Sequence, residues 1–330
     1  MYVFLGDTMR FNRGFAVAVL LAFAMTAPAL AQKWPDRSVR IVTPFAPGGG
    51  TDVFGRILAQ RLSEVFGQQF IVENRPGAGS TAGTEYVAKA QPDGTTFLMT
   101  SASFSFNPGL YSNLRYDSIR DFVRVSLVAR VPHVIMVLPS FPAKNIQDLV
   151  RIARAKPGAV LYASAGPGSA LHLAGALFGV VTRTELVHVP YKGGSAAAIA
   201  VMSGEATVAF STIETVLPML KAGRLKALAV STRERTAALP DVPTAGEAGI
   251  KDYEVTGWFG IMAPAGTPQA IVDTLSGEIG KAMATPAIRE RAAQDGATAV
   301  GSTPEEFDRL VRGEITKWTK IIRDAGIKLD

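Results

Sequence analysis

Four times along this chain a run of strand-forming residues breaks off into a glycine-rich turn, and each turn opens into a helical segment. The turns read PFAPGGGTD over 44–52, NRPGAGST over 74–81, SAGPGSALH over 164–172 and YKGGSAA over 191–197. Strands alternating with helices in this way call for right-handed crossovers and a mostly parallel sheet, which is an α/β architecture. In an open sheet of that kind the turns gather at the carboxyl ends of the strands, where ligands bind. Glycine lets the backbone approach a ligand and take positive φ. The helix tip behind it carries unpaired N–H groups and a partial positive charge, so anions settle there. Any one such turn serves equally well as a plain helix cap. Four of like composition describe a clamp on a small anion.

The remaining pattern supports two lobes. Strands are expected at 39–45, 69–75 and 95–101, with a helix at 50–67 that turns Val53, Ile57, Leu58 and Leu62 to one face. The apolar run 127–139 reads as a strand pair broken by Pro132. Further strands fall at 159–165, 186–191, 206–212 and 225–232, with helices between them. An irregular stretch rich in Pro and Gly, 238–250, follows; strand character resumes at 256–268, and two helices start near Pro268 and Pro304. The block 138–252 is thus a complete α/β unit between two extended segments. We expect a first lobe from 32–137 and 253–330, a second lobe from 138–252, and two crossings.

The first 31 residues stand apart. Arg10 and Arg13 precede an uncharged apolar stretch, and Ala29-Leu30-Ala31 has the small-x-small cleavage pattern, so 1–31 reads as a secretory signal peptide cut after Ala31. Its apolar run is short for a membrane span. The chain contains no cysteine, which excludes disulfides, thiol catalysis and cysteine zinc sites. Export without covalent anchoring suits a periplasm. The net charge of +6 comes from scattered basic residues with no Lys/Arg block, so nucleic acid is not an expected partner.

Catalytic machinery is thin. GAGSTA at 77–82 fits a dinucleotide fingerprint, yet the strand 95–101 ends without the acid that would grip a ribose, and no P-loop is present. The histidines are His133, His172 and His188, none at metal-ligand spacing, and no metal or cofactor is expected. His133 and His188 read as core residues; His172 lies in a first helical turn beside Ser169, where it caps the helix or lines a cleft. There is no G-x-S-x-G elbow. Asp52 either pairs with its helix tip, orients the turn or reads a ligand amine. Phe45 and Phe104 adjoin proposed binding turns and are the candidate cleft walls. An enzyme acting on a carboxylated metabolite, with or without a nucleotide, stays as the alternative.

The motifs TPFAPGGGTD, VENRPGAGSTAGTEYVAKAQPDGTTFLM, NPGLYSNLRYDSIRDF, SAGPGSALHLAGALF, HVPYKGGSAA, LKALAVSTRERTAALPDVPTAGEAGI and WFGIMAPAGTP, in this order, resemble the tripartite tricarboxylate transporter solute-binding proteins, the Bug family. The resemblance implies a two-lobed periplasmic binding protein of the type II fold. It also implies a monomer that closes on a carboxylate and delivers it to integral-membrane permease subunits. Dicarboxylates, tricarboxylates and aromatic carboxylates are the ligand classes. Carried over, the ligand residues of the first lobe are Phe45, Gly48, Gly49, Thr51 and Asp52, then Ala78, Gly79 and Ser80, with Phe104 beside them. Those of the second lobe are Ser164, Gly168, Ser169 and His172, then Gly193, Gly194 and Ser195, then Phe210, Ser211 and Thr212. This chain has Phe104 where many relatives have His, Ala196 where they have Pro, and Ser211 where they have Asp. Those exchanges imply a pocket less suited to an amine and better suited to a plain or aromatic carboxylate.

Overall fold

A computed structural model describes residues 34–294, 296–324 and 326–327; the expected leader, 1–31, lies outside the described residues. The chain begins with β1 (Val39–Thr43), α1 (Gly50–Phe66), β2 (Phe70–Asn74), α2 (Thr81–Ala88), β3 (Thr96–Ser101), α3 (Ser103–Leu110) and β4 (Phe122–Val137). Next come α4 (Ile146–Ala155), β5 (Val160–Ser164), α5 (Ala170–Thr182), β6 (Leu186–Pro190), α6 (Gly194–Ser203), β7 (Val208–Thr212), α7 (Ile213–Lys221) and β8 (Lys226–Val230). The last elements are β9 (Thr256–Pro264), α8 (Gln269–Ala284), α9 (Pro286–Gln294), β10 (Thr298–Ala299) and α10 (Pro304–Asp324).

The strands run in the order β2-β1-β3-β9-β4-β7-β5-β6, with β8 and β10 paired to β4. β1 is parallel to β2 and β3, and β5 is parallel to β6 and β7, so the alternating strand–helix units form the parallel arrays that their sequence demands. β4 and β9 are antiparallel to their neighbours. The result is a mixed, curled sheet flanked by helices, in two lobes.

Pro132 does not break the apolar run it sits in. β4 is one strand of 16 residues. Its first part pairs with β9 as far as Pro132↔Thr256, and from His133↔Thr212 onward it pairs with β7. The proline therefore falls where the strand changes partners, and its missing N–H costs the ladder little. β9 brings the chain back, and Ser231 joins the two crossings. His133 N donates to Ser231 Oγ at 3.1 Å, Ser231 Oγ donates to Val255 O, and Val255 N donates to Ser231 O at 3.1 Å.

α1 buries Phe54, Leu58 and Leu62, while Val53 and Ile57 are only half-buried; the face is turned slightly from the one expected. It stops at Gly67, whose φ of 68° is the left-handed conformation glycine takes without strain. α8 covers the first sheet half, burying Val272, Leu275 and Ile279 in one cluster with Val39, Ile41 and Phe97. α9 and the short α3 are helices that the sequence pattern did not separate. α10 returns to the first lobe, where Trp318 packs edge-on to Phe106 at 4.7 Å and Phe307 packs edge-on to Trp258 at 5.3 Å. That approach requires Gly260, since a Cβ there would sit 2.2 Å from the Phe307 ring.

Candidate functional site

The register fixes where the turns point. β3 runs alongside β9 and ends at Ser101↔Phe259, and Phe259 in turn pairs with Ala129 of β4. β7 runs the opposite way along β4 and ends at Thr212↔His133. β1 and β2 share the direction of β3, and β5 and β6 share that of β7. The carboxyl ends of both parallel arrays therefore converge on residues 129–133 from opposite sides, and the turns face one another across the crossing. A direct contact marks the junction: a Cβ on Gly50, at the tip of α1, would lie 2.4 Å from the Phe259 ring and 3.4 Å from Glu214 Oε1 on α7.

The first turn is held from within by Asp52. Its Oδ2 accepts from Gly48 N at 3.0 Å and from Arg56 Nε at 3.0 Å, and its Oδ1 accepts from Asn74 Nδ2 at 3.0 Å. Asn74 Nδ2 also donates to Phe45 O at 3.1 Å. Burial disfavours the charged carboxylate, but the hydrogen bonds from Arg56, Gly48 and Asn74 outweigh it and hold Asp52 below the usual carboxylate range. A group so engaged orients the loop. Gly48, at φ 84°, and Gly49, the N-cap of α1, leave the helix tip bare, and Thr51 is buried behind them.

In the second turn Ser80 takes φ 82°, a left-handed conformation that is costly for a residue with a Cβ. Its hydroxyl turns inward, to Ser103 Oγ at 3.3 Å and to Asn107 Nδ2 at 3.3 Å. Gly79 is exposed, and a Cβ there would meet Tyr111 Oη at 2.4 Å, so Tyr111 closes over the turn; sequence reasoning had not singled it out. Ala78 contributes backbone to the 3-10 turn Ala78–Ser80.

The third turn rests on stacked imidazoles. Ser169 caps α5, accepting from His172 N at 3.1 Å and donating to Gly166 O at 2.7 Å. Gly168 N donates to His172 Nδ1 at 3.2 Å, which leaves the proton of the neutral ring on Nε2. The His172 and His188 rings stack with centroids 4.0 Å apart, and Ser164 Oγ lies 2.6 Å from His188 Nε2. Burial pushes both imidazoles down to about 4, and the His188 charge adds to the effect on His172. They are neutral at pH 7, so the loop stands on uncharged rings.

In the fourth turn Gly193, at φ 108°, caps α6 without a side chain, and Ser195 is exposed. Ser211 ends fully buried, its Oγ without a hydrogen-bond partner and 2.9 Å from where a Gly194 Cβ would be. Thr212 bonds to Thr215 Oγ1 at 2.9 Å within α7.

One candidate wall residue, Phe104, and one carried-over ligand residue, Phe210, lie in the core. Phe104 is fully buried, edge-on to Phe122 at 5.2 Å and stacked on Tyr116, because its position in α3 faces inward. Phe210 is sandwiched by Tyr162 and Phe178 on the inward side of β7. Phe45 remains half-buried beside its turn. Glu214, three residues after Ser211, brings a carboxylate to the junction, a residue the sequence pattern did not single out. Two cavities, of about 550 and 720 Å³, lie away from these turns. Among the described residues no cluster of three or more His, Cys, Asp or Glu could hold a metal ion, and no helix is long and apolar enough to cross a membrane.

Comparison with known proteins bears on what such an arrangement does. Residues 54–327 match the family described as the tripartite tricarboxylate transporter family receptor. A UPF0065 protein from the tcbD-tcbE intergenic region of a Pseudomonas species is 37% identical over 93% of this chain and 91% of its own length. Protein BugT of Bordetella pertussis is 34% identical over 95% of this chain and 97% of its own length. Among solved structures, an R. palustris protein with adipate is 35% identical, covers 90% of this chain and 100% of its own, and superposes with a TM-score of 0.83. MatC from Rhodopseudomonas palustris with bound malate is 30% identical, covers 88% and 100%, and gives 0.80.

Proposed function

The chain belongs to the tripartite tricarboxylate transporter receptor family, and from that premise we propose that it captures a small carboxylate between its two lobes and hands it to a membrane permease. The family is one of periplasmic solute-binding receptors, so the chain is a receptor and not an enzyme. Export by a signal peptide cut after Ala31, and action as a monomer, belong to the same proposal. We place the second lobe at 138–252 and the first at 32–137 and 253–330.

The observation that supports the reading best is the unpartnered, buried Ser211 hydroxyl beside Gly194 at the bare tip of α6. Backbone N–H groups at the tips of α1 and α6 pair with the ligand's oxygens, and the ligand touches both lobes only when they are shut. Closure is selected by that difference in contacts. Adipate and malate in related structures support a dicarboxylate as the first ligand class to test. Gly48, Gly49 and Gly79, with Gly168, Gly193 and Gly194, supply close backbone approach; Ser169 and Ser195 supply hydroxyls near the tips. Asp52, Ser80, Ser164 and His172 shape the turns from behind.

The test is a thermal-shift screen of aliphatic dicarboxylates, tricarboxylates, aromatic carboxylates and amino acids, followed by calorimetric titration of the hits. A ligand at about 100 times its Kd stabilises the protein by about 2.7 kcal/mol. Failure of every carboxylate to shift the transition would end the proposal.

A further inference from the structure

The cavity of about 720 Å³ opens on the flank of the hinge, away from the four glycine turns. Its walls come from both crossings, from the 232–238 segment beyond β8 and from the 289–299 region around β10. Among the described residues, Arg130, Arg233, Arg235 and Arg289 line it against two acids, Glu234 and Glu254. Arg233 pairs with Glu254 at 2.6 Å, and Arg235 pairs with Glu247, which lies outside the cavity wall, at 2.8 Å. Arg130 and Arg289 form no ion pair or side-chain hydrogen bond with any described residue.

We propose that this cavity is a second anion site, one that takes a compact polyanion carrying two or more phosphate or carboxylate groups and couples its binding to the angle between the lobes. The volume is that of a small-ligand site, and its concave form suits a small molecule better than a protein face. Guanidinium forks match phosphate and carboxylate oxygens in pairs. The described wall carries four guanidinium groups against two carboxylates, so an anion with two or more charges is attracted more strongly than a singly charged one and matches the excess. Arg130 stands on the first crossing, Glu254 and its partner Arg233 on the second crossing and the loop beside it, and Arg289 on α9 of the first lobe. An occupant that bridges them fits one hinge angle better than another and shifts the population accordingly. The coupling is reciprocal, so the hinge anion and the cleft ligand alter each other's affinity by the same factor. None of this depends on what the cleft binds.

The experiment titrates inorganic pyrophosphate, citrate and inorganic phosphate into the full chain by calorimetry at low ionic strength, where exposed charges are least screened. Pyrophosphate binding that weakens at least about tenfold in the Arg130→Gln/Arg289→Gln variant, and less in Arg130→Lys/Arg289→Lys, supports the site. In the cleft variant Ser211→Asp, pyrophosphate binding is expected to be unchanged. The pyrophosphate and citrate arms separate phosphate from carboxylate chemistry. Absence of binding by both polyanions overturns the proposal. So does binding that survives both arginine variants but is lost in Ser211→Asp, because the anion would then sit in the cleft.

Discussion

Ser231 gives the sharpest test of how the two crossings are held together. Its side chain accepts from His133 N and donates to Val255 O, and both backbone groups belong to residues only 1% exposed. Replacing Ser231 by Ala leaves that N–H and that carbonyl without these partners, in a place water does not reach. Each buried backbone group left unpaired costs about 1–3 kcal/mol, so the pair amounts to about 2–6 kcal/mol. The measurement is urea unfolding of the wild type and Ser231→Ala, read by fluorescence of the buried Trp258 and Trp318. A matched control is Ser203→Ala, whose hydroxyl also bonds a backbone carbonyl but is exposed, and whose expected cost is under about 0.5 kcal/mol. The midpoint of Ser231→Ala should fall clearly below both others, with a loss in Tm of roughly 2–4 °C per kcal/mol. If the Ser231 and Ser203 variants unfold together, the serine does not hold the hinge and the reasoning is wrong.

Stability should decline as pH falls from about 6.5 to about 4, because burial holds His133, His172 and His188 at about 4 while the unfolded chain takes up protons near 6.5. Fully buried His133 accounts for about 3 kcal/mol of that loss, and His133→Leu should flatten the pH–stability curve by close to one proton. Asp52→Asn should cost about 1–2 kcal/mol in denaturant unfolding, since the Arg56 ion pair goes and an amide nitrogen faces donors; an unchanged midpoint would show that the first turn does not depend on it. Ser211→Ala should leave stability nearly intact, because the hydroxyl has no partner, yet weaken carboxylate binding about tenfold in a calorimetric titration. Gly260→Ala should destabilise by about 1–3 kcal/mol in thermal unfolding by driving a methyl into the Phe307 ring.

Much of the architecture was legible because its signals are local. Glycine triplets and pairs stand where strands give way to helices, and Gly48, Gly79, Gly168 and Gly193 all take positive φ in the structure. Asp52 could be placed at a helix start from its position alone, but not its three donors, of which Asn74 comes from the next strand. The burial of Phe104 and Phe210 was not legible, because an aromatic near a strand end looks the same whether its ring faces a cleft or a core. Only the packing of Tyr116 and Phe122, or of Tyr162 and Phe178, decides. Tyr111 and Glu214 carried no pattern at all; they matter because the fold brings them to glycines 32 and 164 positions away.

What the chain order determined unaided is the succession of strand, bare turn and helix, since side-chain period and glycine's freedom act over a few residues. What the tertiary structure decided is that β4 runs unbroken through Pro132, that Ser231 ties two segments far apart in sequence, and that two sets of strand ends confront each other there. Those outcomes follow from pairing between distant strands, and no local pattern specifies which partner a strand takes on each side.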